Sequence, residues 1–308
     1  MKTCFLYPGQ GAQYPAMGKD LFEKYPAAKE LFKTASAVLE RDMKALIFEG
    51  DAAALGRTDN TQPAITVVNL AVKNILKDLG LSSDGCAGHS LGEWAAYADA
   101  GVITDEEVLR AVALRGKYMH EAGEKASGAG ADSSMAAVIG LEIAKVEEAI
   151  KSIDGAFMAN WNAPTQIVIS GTQEGLSSAE GALKEAGARR VIRLKVSAPC
   201  HSPLLDEAKE KFTDYLSGLD FKDPAKPLYS NVSGRIVTTG TAARKLALEQ
   251  IVSSVLWVDE EKSILADGYE RILETGPGKV LSGLMKSFGS EIAVQLCGTV
   301  EQIEEVIG

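Results

Sequence analysis

The order in which strands and helices alternate constrains the fold of this chain more than any single motif does. Hydrophobic periodicity changes over residues 135–196, where it predicts six elements in the order β-α-β-β-α-β. These predicted elements are strand 135–139, helix 144–150, strands 156–160 and 166–170, helix 174–186 and strand 189–196. The sequence therefore predicts a small lobe with a sheet of its own, inserted into the rest of the chain.

The order β-α-β-β-α-β is the ferredoxin-like pattern, and further α/β elements flank it. They are strand 3–7, helix 62–79, helix 203–219, strand 228–230, helices 242–255 and 259–267, and strand 271–274. We predict an α/β fold in which a large α/β-hydrolase-like domain, residues 1–125 and 198–308, carries a small ferredoxin-like subdomain, residues 126–197. A run rich in Gly, Ser and Ala, residues 123–134, predicts a loop at the first junction. The cleft between the two units is the natural place for a binding site.

Residues 88–92 read Gly-His-Ser-Leu-Gly, between a short apolar stretch and a helix-like run. A serine hydroxyl is unreactive in water, and enzymes with a nucleophilic serine often place it on a sharp strand-to-helix turn bracketed by glycines. Ser90 is therefore a candidate nucleophile. The same pentapeptide also fits a serine that only begins a helix, so the chemical interpretation depends on its partners.

The chain has three histidines, so the candidate base for Ser90 follows by elimination. His89 adjoins Ser90 and cannot easily turn back onto its hydroxyl, and His120 lies near the end of a predicted helix, off its apolar stripe. His201 lies between a predicted strand and a predicted helix, on the kind of loop that carries catalytic groups. A helix cap is the alternative role for His201.

A cation in the middle of an apolar stripe distinguishes this chain from a generic serine enzyme. At 100° per residue, Val108, Val112, Arg115 and Met119 share one face of the helix that begins after Thr104. Desolvating an unpaired guanidinium costs several kcal/mol, so Arg115 must meet a partner. That partner is either an internal carboxylate or a carboxylate that a ligand brings, and the periodicity favours neither.

Charge and hydropathy exclude several classes of partner. The 308 residues carry a formal net charge of −10 and no Lys/Arg-rich run, which argues against nucleic acid as a partner. No uncharged segment approaches the roughly 18 residues that span a bilayer, and the N-terminal residues are too short an apolar run for a signal peptide. We therefore expect a cytoplasmic protein without a membrane partner.

Two other kinds of site are disfavoured by spacing. Gly9 and Gly11 form a G-x-G after the first predicted strand, but the third glycine of a dinucleotide-binding motif is replaced by Tyr14. The four cysteines lie far apart with no C-x-x-C, which predicts buried, reduced thiols rather than disulfides or a zinc site.

With these residues in place, the sequence resembles one family nearly from end to end. The family is the malonyl-CoA:acyl carrier protein transacylases of fatty acid synthesis, to which the acyltransferase domains of polyketide synthases are related. The motifs that carry the resemblance are Tyr7-Pro8-Gly9-Gln10-Gly11, Thr61-Gln62-Pro63-Ala64, Gly88-His89-Ser90-Leu91-Gly92-Glu93, Arg115-Gly116-Lys117-Tyr118-Met119, Asn160-Trp161-Asn162-Ala163-Pro164, His201-Ser202-Pro203, Ser230-Asn231-Val232 and Glu274-Thr275-Gly276-Pro277-Gly278.

The resemblance implies a ping-pong transfer. Malonyl-CoA acylates Ser90, CoA leaves, and the phosphopantetheine thiol of acyl carrier protein then takes the malonyl group. His201 acts as base and then acid, oriented by a main-chain carbonyl near Gln250 rather than by an acidic residue. The amides of Gln10 and Leu91 form the oxyanion hole.

For the substrate, the resemblance implies that Arg115 binds the malonyl carboxylate. The other implied substrate-binding residues are Gln62, His89, Asn160, Asn162 and Met119. The reaction needs no metal and no bound cofactor, and we expect a monomer. Acyl carrier proteins are acidic by family, which implies a local basic patch for docking, with Lys117, Arg189, Arg190, Arg193 and Lys195 as candidates.

The sequence departs from the family pattern at Ser253-Ser254, where the family often has Asn-Pro, and this puts the local turn near Gln250 in doubt. Two other kinds of function stay open. A serine hydrolase or thioesterase would share the Ser90 turn, and a noncatalytic carrier-binding module would keep the surface without the chemistry. Preference for methylmalonyl groups, or association with malonate decarboxylation, would lie within the same reaction class.

Overall fold

The computed structural model describes residues 1–127, 134–196 and 198–308. In those ranges the strands are β1 (Thr3–Tyr7), β2 (Gly85–Gly88), β3 (Met135–Ile139), β4 (Ala156–Ala163), β5 (Gln166–Gly171), β6 (Arg190–Leu194), β7 (Leu228–Ser230), β8 (Arg235–Val237), β9 (Arg271–Glu274) and β10 (Val294–Leu296). The helices are α1 (Lys19–Lys24), α2 (Pro26–Val38), α3 (Met43–Phe48), α4 (Ala52–Gly56), α5 (Thr58–Asp78), α6 (Gly92–Asp99), α7 (Asp105–Ser127), α8 (Ile143–Ile150), α9 (Gln173–Glu185), α10 (Asp206–Ser217), α11 (Gly240–Glu249), α12 (Trp257–Ala266), α13 (Val280–Phe288) and α14 (Val300–Ile307).

The larger sheet has the strand order β10-β9-β1-β2-β7-β8. Its strands run parallel except for β8, which pairs antiparallel with β7 at one edge. The register pairs Tyr7 with Gly88, so β1 and β2 end side by side. In an open parallel sheet, ligands bind beyond the carboxyl ends of the strands. The loops that follow Tyr7 and Gly88 therefore begin together at the edge where a site is expected.

Both faces of the larger sheet are buried, which is why β1 is apolar at every position but its first. Phe5 and Tyr7 pack in one cluster with Trp94 of α6 and with α5 and α7. Cys4 and Leu6 point the other way and pack with Trp257 of α12 and with α13. Continuous apolar strands are what a parallel sheet covered on both sides requires.

The smaller sheet is antiparallel and has the strand order β4-β5-β3-β6. Residues of α8 and α9 pack with it in a separate apolar cluster that includes Val138, Ile167 and Leu176. The predicted strand 135–139 matches β3, and the remaining five elements of the inserted segment occur in the predicted order with ends shifted by a few residues.

The smaller sheet is joined to the larger unit through β4. Val255 forms a parallel bridge with Asn160, donating its amide to the Ala159 carbonyl and accepting from the Trp161 amide, each at 2.9 Å. Ser254 Oγ also donates to the carbonyl of Met158 at 2.8 Å. The segment that follows Gln250 is therefore held against the edge of the smaller sheet.

Part of the predicted loop 123–134 is wrong, because α7 continues to Ser127. Residues 128–133 lie outside the described residues. Gly123 is buried within α7, and a Cβ added there would lie 2.7 Å from the Cα of Ala198. The glycine allows close contact between the helix and another backbone segment, which a composition-based loop prediction does not detect.

Two helix bounds differ from prediction by four residues or more. The predicted helix 242–255 ends at Glu249 as α11, because the residues after it pair with β4 and with His201 instead of continuing the helix. The helix predicted from residue 62 begins at Thr58 and contains Pro63. The Thr61 hydroxyl donates to the Arg57 carbonyl at 2.9 Å in the first turn of that helix.

Two observations on the described residues bear on predictions made for the whole chain. No helix among them is long and apolar enough to cross a membrane. All four cysteines, Cys4, Cys86, Cys200 and Cys297, are described, and each is a buried free thiol, as their spacing predicted.

Candidate active site

Ser90 lies on the turn between β2 and α6, in a left-handed backbone conformation with φ of 50°. The turn closes with a 2.9 Å hydrogen bond from the Gly92 amide to the His89 carbonyl. A Cβ at Gly88 would collide with the backbone of Gly92, and one at Gly92 would collide with the Tyr7 carbonyl. Both glycines are therefore required by close backbone approach, and they leave the Ser90 side chain partly exposed beyond the sheet.

His201 is hydrogen-bonded to Ser90 and to the backbone of Gln250. Its Nε2 lies 2.7 Å from Ser90 Oγ, and its Nδ1 lies 2.8 Å from the Gln250 carbonyl oxygen. A carbonyl can only accept, so Nδ1 carries the proton and Nε2 is free to accept the serine proton. The neutral imidazole is thereby fixed in the tautomer that a general base needs.

Electrostatics keep this imidazole neutral. Burial, followed by the nearby positive charge of Arg115, lowers the pKa of His201 to about 3. The Gln250 carbonyl opposes this shift by bonding to the Nδ1 proton. A base whose charged form is disfavoured stays unprotonated throughout the neutral range.

Arg115 is buried, with 1% of its surface exposed, and its hydrogen-bond partners are neutral. One terminal nitrogen donates to Gln62 Oε1 at 2.9 Å and the other donates to Gln250 Oε1 at 3.0 Å. Nε has no hydrogen-bond partner among the described residues. Burial lowers the pKa of Arg115 to about 10, which still leaves it charged at neutral pH. The two amides orient the guanidinium without neutralising it.

The loops that carry Gln10 and Leu91 meet beside the turn. A Cβ added at Gly9 would lie 3.4 Å from the amide nitrogen of Leu91 and would collide with the His89 carbonyl. Within the described chain, the backbone amides of Gln10 and Leu91 donate no hydrogen bond to another protein group. Leu91 immediately precedes α6, and unpaired amides at a helix start are the kind of donor that binds an anion.

The remaining predicted substrate-binding residues make contacts with one another and with neighbouring residues of the site. His89 Nε2 lies 2.7 Å from Asn162 Oδ1 of β4, and the His89 ring packs edge-on against Trp257 with centroids 5.3 Å apart. Gln62 Nε2 contacts the sulfur of Met119 at 3.5 Å while its oxygen holds Arg115. Asn160 lies on β4 at the bridge to Val255.

The predicted basic residues lie on the surface, with one exception. Lys117, Arg189, Arg190 and Lys195 are exposed, whereas Arg193 is partly buried and forms an ion pair with Glu180. Lys117 lies 4.0 Å from Glu121 on the same helix.

A buried polar cluster beneath Ser90 was not predicted as part of the site. It consists of Asn231, Glu93 and Glu260, all with no exposed surface, together with the side chain of Gln250. Gln250 Nε2 donates to the Ser90 carbonyl at 3.0 Å, to Asn231 Oδ1 at 3.1 Å and to Glu93. Asn231 and Glu93 both occur in motifs noted in the sequence, and their place in those motifs was the available signal.

The two carboxyl groups of this cluster hold protons more tightly than exposed ones do. Burial raises the pKa of Glu93 to about 7, although hydrogen bonds from Gln250 and Asn231 partly oppose the shift. Burial, and then the charge of Glu93, raise the pKa of Glu260 well above its ordinary value. The pair therefore carries fewer than two negative charges at neutral pH.

Known proteins resemble this chain over nearly its whole length. Residues 4–300 match the acyl transferase domain family. A malonyl CoA-acyl carrier protein transacylase of Bacillus subtilis is 40% identical over 310 residues, covering 99% of this chain and 96% of that protein. A protein of the same name from Escherichia coli K12 is 38% identical, covering 92% of this chain and 91% of its own. A malonyl-transacylase solved with a type II polyketide synthase acyl-carrier protein has a TM-score of 0.94 and 33% identity, covering 100% of this chain and 99% of that one.

Proposed function

The chain belongs to the malonyl-CoA:acyl carrier protein transacylases, and on that premise we propose that Ser90, His201 and Arg115 carry out its malonyl transfer. The enzyme moves a malonyl group from malonyl-CoA to acyl carrier protein in fatty acid synthesis. The observation that carries the residue assignment is that Arg115 is buried with two neutral partners, Gln62 and Gln250. Gln250 also bonds to His201 and to the Ser90 carbonyl.

In the first half-reaction, Ser90 Oγ attacks the thioester carbonyl while its proton passes to His201 Nε2. The carbonyl oxygen becomes an oxyanion that the amides of Gln10 and Leu91 stabilise, each such donor contributing about 3 to 4 kcal/mol. The C–S bond then breaks, CoA leaves as a thiol with the proton from His201, and malonyl-Ser90 remains. The second half-reaction reverses these steps with the phosphopantetheine thiol of the carrier protein. No metal or bound cofactor takes part.

Arg115 provides the selection for an acid-bearing acyl group. A guanidinium presents its donors in one plane, and a carboxylate can accept two of them at once. Because Gln62 and Gln250 are uncharged, neither neutralises the guanidinium, and the malonyl carboxylate is the proposed charged partner. Gln62, His89, Asn160, Asn162 and Met119 are the proposed surroundings of the acyl group.

The domain division and the docking surface are also proposals. The strand order of the smaller sheet supports a ferredoxin-like subdomain at residues 126–197, inserted into an α/β-hydrolase-like domain at 1–125 and 198–308.

The proposed docking surface for an acidic carrier protein consists of exposed basic residues, Lys117, Arg189, Arg190 and Lys195. Charge reversal at these four positions should slow malonyl transfer to the carrier protein and should make the transfer rate less dependent on salt concentration. We also propose that the protein is a monomer.

Mass spectrometry of the protein after brief mixing with malonyl-CoA tests the assignment. We expect a single malonyl adduct on Ser90 that forms in the wild type and not in Ser90→Ala, and that disappears when carrier protein is added. An adduct that persists in Ser90→Ala would overturn the choice of nucleophile. Rapid release of free malonate without carrier protein would instead indicate a hydrolase, and binding of the carrier without any adduct would indicate a noncatalytic module.

A further inference from the structure

Asn231 is hydrogen-bonded directly to the backbone of the proposed nucleophile, although it has no part in the proposed bond-making steps. It follows β7, and its Oδ1 accepts a hydrogen bond from the Ser90 amide at 2.7 Å. Its Nδ2 donates to the Gly88 carbonyl, also at 2.7 Å. An amide N–H can only donate and a carbonyl can only accept, so these two partners fix which end of the Asn231 side chain is oxygen. One side chain thus holds both the end of β2 and the turn that follows it.

Asn231 is itself held by residues from both faces of the larger sheet. Its Nδ2 also donates to Glu260 Oε1 at 2.7 Å, and its backbone amide donates to Glu93 Oε1 at 3.3 Å. Glu93 is on α6 and Glu260 is on α12, helices that pack in different apolar clusters on either side of that sheet. The position of Asn231 is therefore set by the core rather than by the surface.

The backbone of Ser90, to which Asn231 is bonded, has a left-handed conformation that needs surrounding contacts to stabilise it. Ser90 has a φ of 50°, in a region that residues other than glycine adopt infrequently. Such a conformation is kept only where the surroundings determine it, and it tends to occur at functional sites. Without Asn231 Oδ1, the Ser90 amide would lose its hydrogen-bond partner.

We propose that Asn231 is a positioning residue for acyl transfer. Asn231 accepts the hydrogen bond of the Ser90 amide, so the Leu91 amide is the donor in this turn that faces the reacting carbonyl oxygen. By tying that amide to the Gly88 carbonyl, it keeps Ser90 Oγ within 2.7 Å of His201 Nε2. This inference rests on the proposed acylation of Ser90, and it adds a residue that touches neither substrate nor the reacting atoms.

The hydrogen-bond pattern suggests one substitution that removes the bonds made by Asn231 Nδ2 and a second that restores one of them. In Asn231→Asp, one carboxylate oxygen can still accept from the Ser90 amide. The other oxygen faces the Gly88 carbonyl, which can only accept, and Glu260 Oε1, which accepts from Asn231 in the wild type and can donate to the new carboxylate only when Glu260 is protonated. Adding Glu260→Gln places an amide donor opposite that oxygen and restores one of the lost bonds. Glu260→Gln alone keeps an acceptor for Asn231 Nδ2 and should slow acylation less than Asn231→Asp does.

The experiment measures malonyl adduct formation by quenched-flow mass spectrometry in the full chain, for the wild type, Glu260→Gln, Asn231→Asp and the double variant. Malonyl-CoA affinity is measured separately by calorimetry in a Ser90→Ala background. We expect Asn231→Asp to slow acylation about tenfold or more while affinity changes by less than about threefold, because the substitution disturbs the alignment of Ser90 with His201 and leaves the substrate contacts in place. The double variant should regain about threefold or more of the lost rate.

A positioning role is overturned if folded Asn231→Asp acylates at the wild-type rate, or if its affinity falls as much as its rate. A double variant no faster than Asn231→Asp also overturns it. If Asn231→Asp does not fold, Asn231→Ser removes the acceptor with less disturbance and must show the same separation of rate from affinity; failure of both to fold assigns Asn231 a purely structural role. Absence of an adduct in the wild type would instead refute the proposed function.

Discussion

Arg115 and His201 are held by opposite parts of one residue, Gln250. Its side-chain oxygen accepts from Arg115 at 3.0 Å, and its main-chain oxygen accepts from His201 at 2.8 Å. The group proposed to recognise the substrate and the group proposed to activate the nucleophile thus share a rigid connection at the end of α11. The charge on Arg115 also contributes to the low pKa of His201, so the two are coupled electrostatically as well.

This coupling makes the pH dependence of the base sensitive to Arg115. With a His201 pKa of about 3, wild-type Ser90 should react with a neutral sulfonyl fluoride at a rate that does not fall between pH 8 and pH 5. Arg115→Met removes the cation, which raises the pKa of His201 toward its ordinary value, although burial still lowers it. The imidazole then protonates at a higher pH, and the rate in the variant should begin to fall at a higher pH than in the wild type.

The neutral reagent is essential to that comparison because it does not need Arg115 for binding. Ser90→Ala reports any modification at other residues and serves as the control. Coincident pH profiles for the wild type and Arg115→Met would show that the cation does not influence the base. With acyl-CoA substrates, Arg115→Met should lose far more activity toward malonyl-CoA than toward acetyl-CoA, which has no carboxylate to pair.

Gln62→Glu should weaken malonyl recognition while leaving the nucleophile unaltered. The new carboxylate would lie where Gln62 Oε1 now accepts from Arg115 at 2.9 Å, and it would neutralise the guanidinium internally. We expect kcat/KM for malonyl-CoA to fall roughly 10- to 100-fold, equivalent to about 1.4 to 2.8 kcal/mol. Gln62→Met is the matched control, since it removes the same hydrogen bond without adding charge and should have a smaller effect. Equal losses in the two variants would contradict charge pairing as the cause.

The substitution of Ser253-Ser254 for the more usual Asn-Pro is accommodated by a hydrogen bond that this chain provides. Ser254 Oγ donates to the Met158 carbonyl, which fixes the segment beyond Gln250 to β4. A neutral hydrogen bond contributes about 1 kcal/mol, so Ser254→Ala should lower kcat for malonyl transfer by a few-fold with little change in KM. Ser253→Ala is the control, because the Ser253 hydroxyl makes no hydrogen bond within the described residues. A change in KM alone would show that the segment acts on binding rather than on His201.

How much of the fold and site could be predicted from sequence depends on how far apart along the chain the interacting residues lie. Strand β3 and the start of α7 after Thr104 depend on local patterns, and the capping bonds between Thr104 and Glu107 are observed. The three-residue strands β8 and β10 were not predicted, because a short segment carries little periodicity, although β7 of the same length was predicted.

Long-range contacts were the other limit. Periodicity predicted that Arg115 lies in an apolar stripe, but it could not distinguish an internal carboxylate from a ligand carboxylate as its partner. The structure places two amides there and no internal carboxylate bonded to Arg115 among the described residues. Asn231 lies 141 residues from Ser90 along the chain, and only the fold brings them together. Residues whose role depends on one distant partner carry no local signal, and this explains why the buried cluster beneath Ser90 was not predicted.

Burial of Glu261 should make the stability of the protein depend on pH. Its Oε1 accepts from Trp257 Nε1 at 2.8 Å, and its Oε2 has no partner among the described residues. Burial raises the pKa of Glu261 to about 8. Between an unfolded pKa near 4.5 and this value, the folded state retains a proton that the unfolded state has lost. Stability from this group is therefore complete below pH 4.5 and decreases toward pH 8, by at most about 1.4 kcal/mol per pH unit.

Glu261→Gln removes this dependence, because an amide does not ionise. Its buried NH₂ group costs a similar amount of stability at every pH, so the prediction concerns the slope and not the absolute stability. From pH 5 to pH 8 the melting temperature of Glu261→Gln relative to the wild type should shift by about 2 °C or more in favour of the variant. Glu147→Gln, at an exposed position of α8, is measured as the control for removing one carboxylate. A constant difference in melting temperature across this range would mean that Glu261 is already ionised in the folded protein, with its charge stabilised by a group other than Trp257.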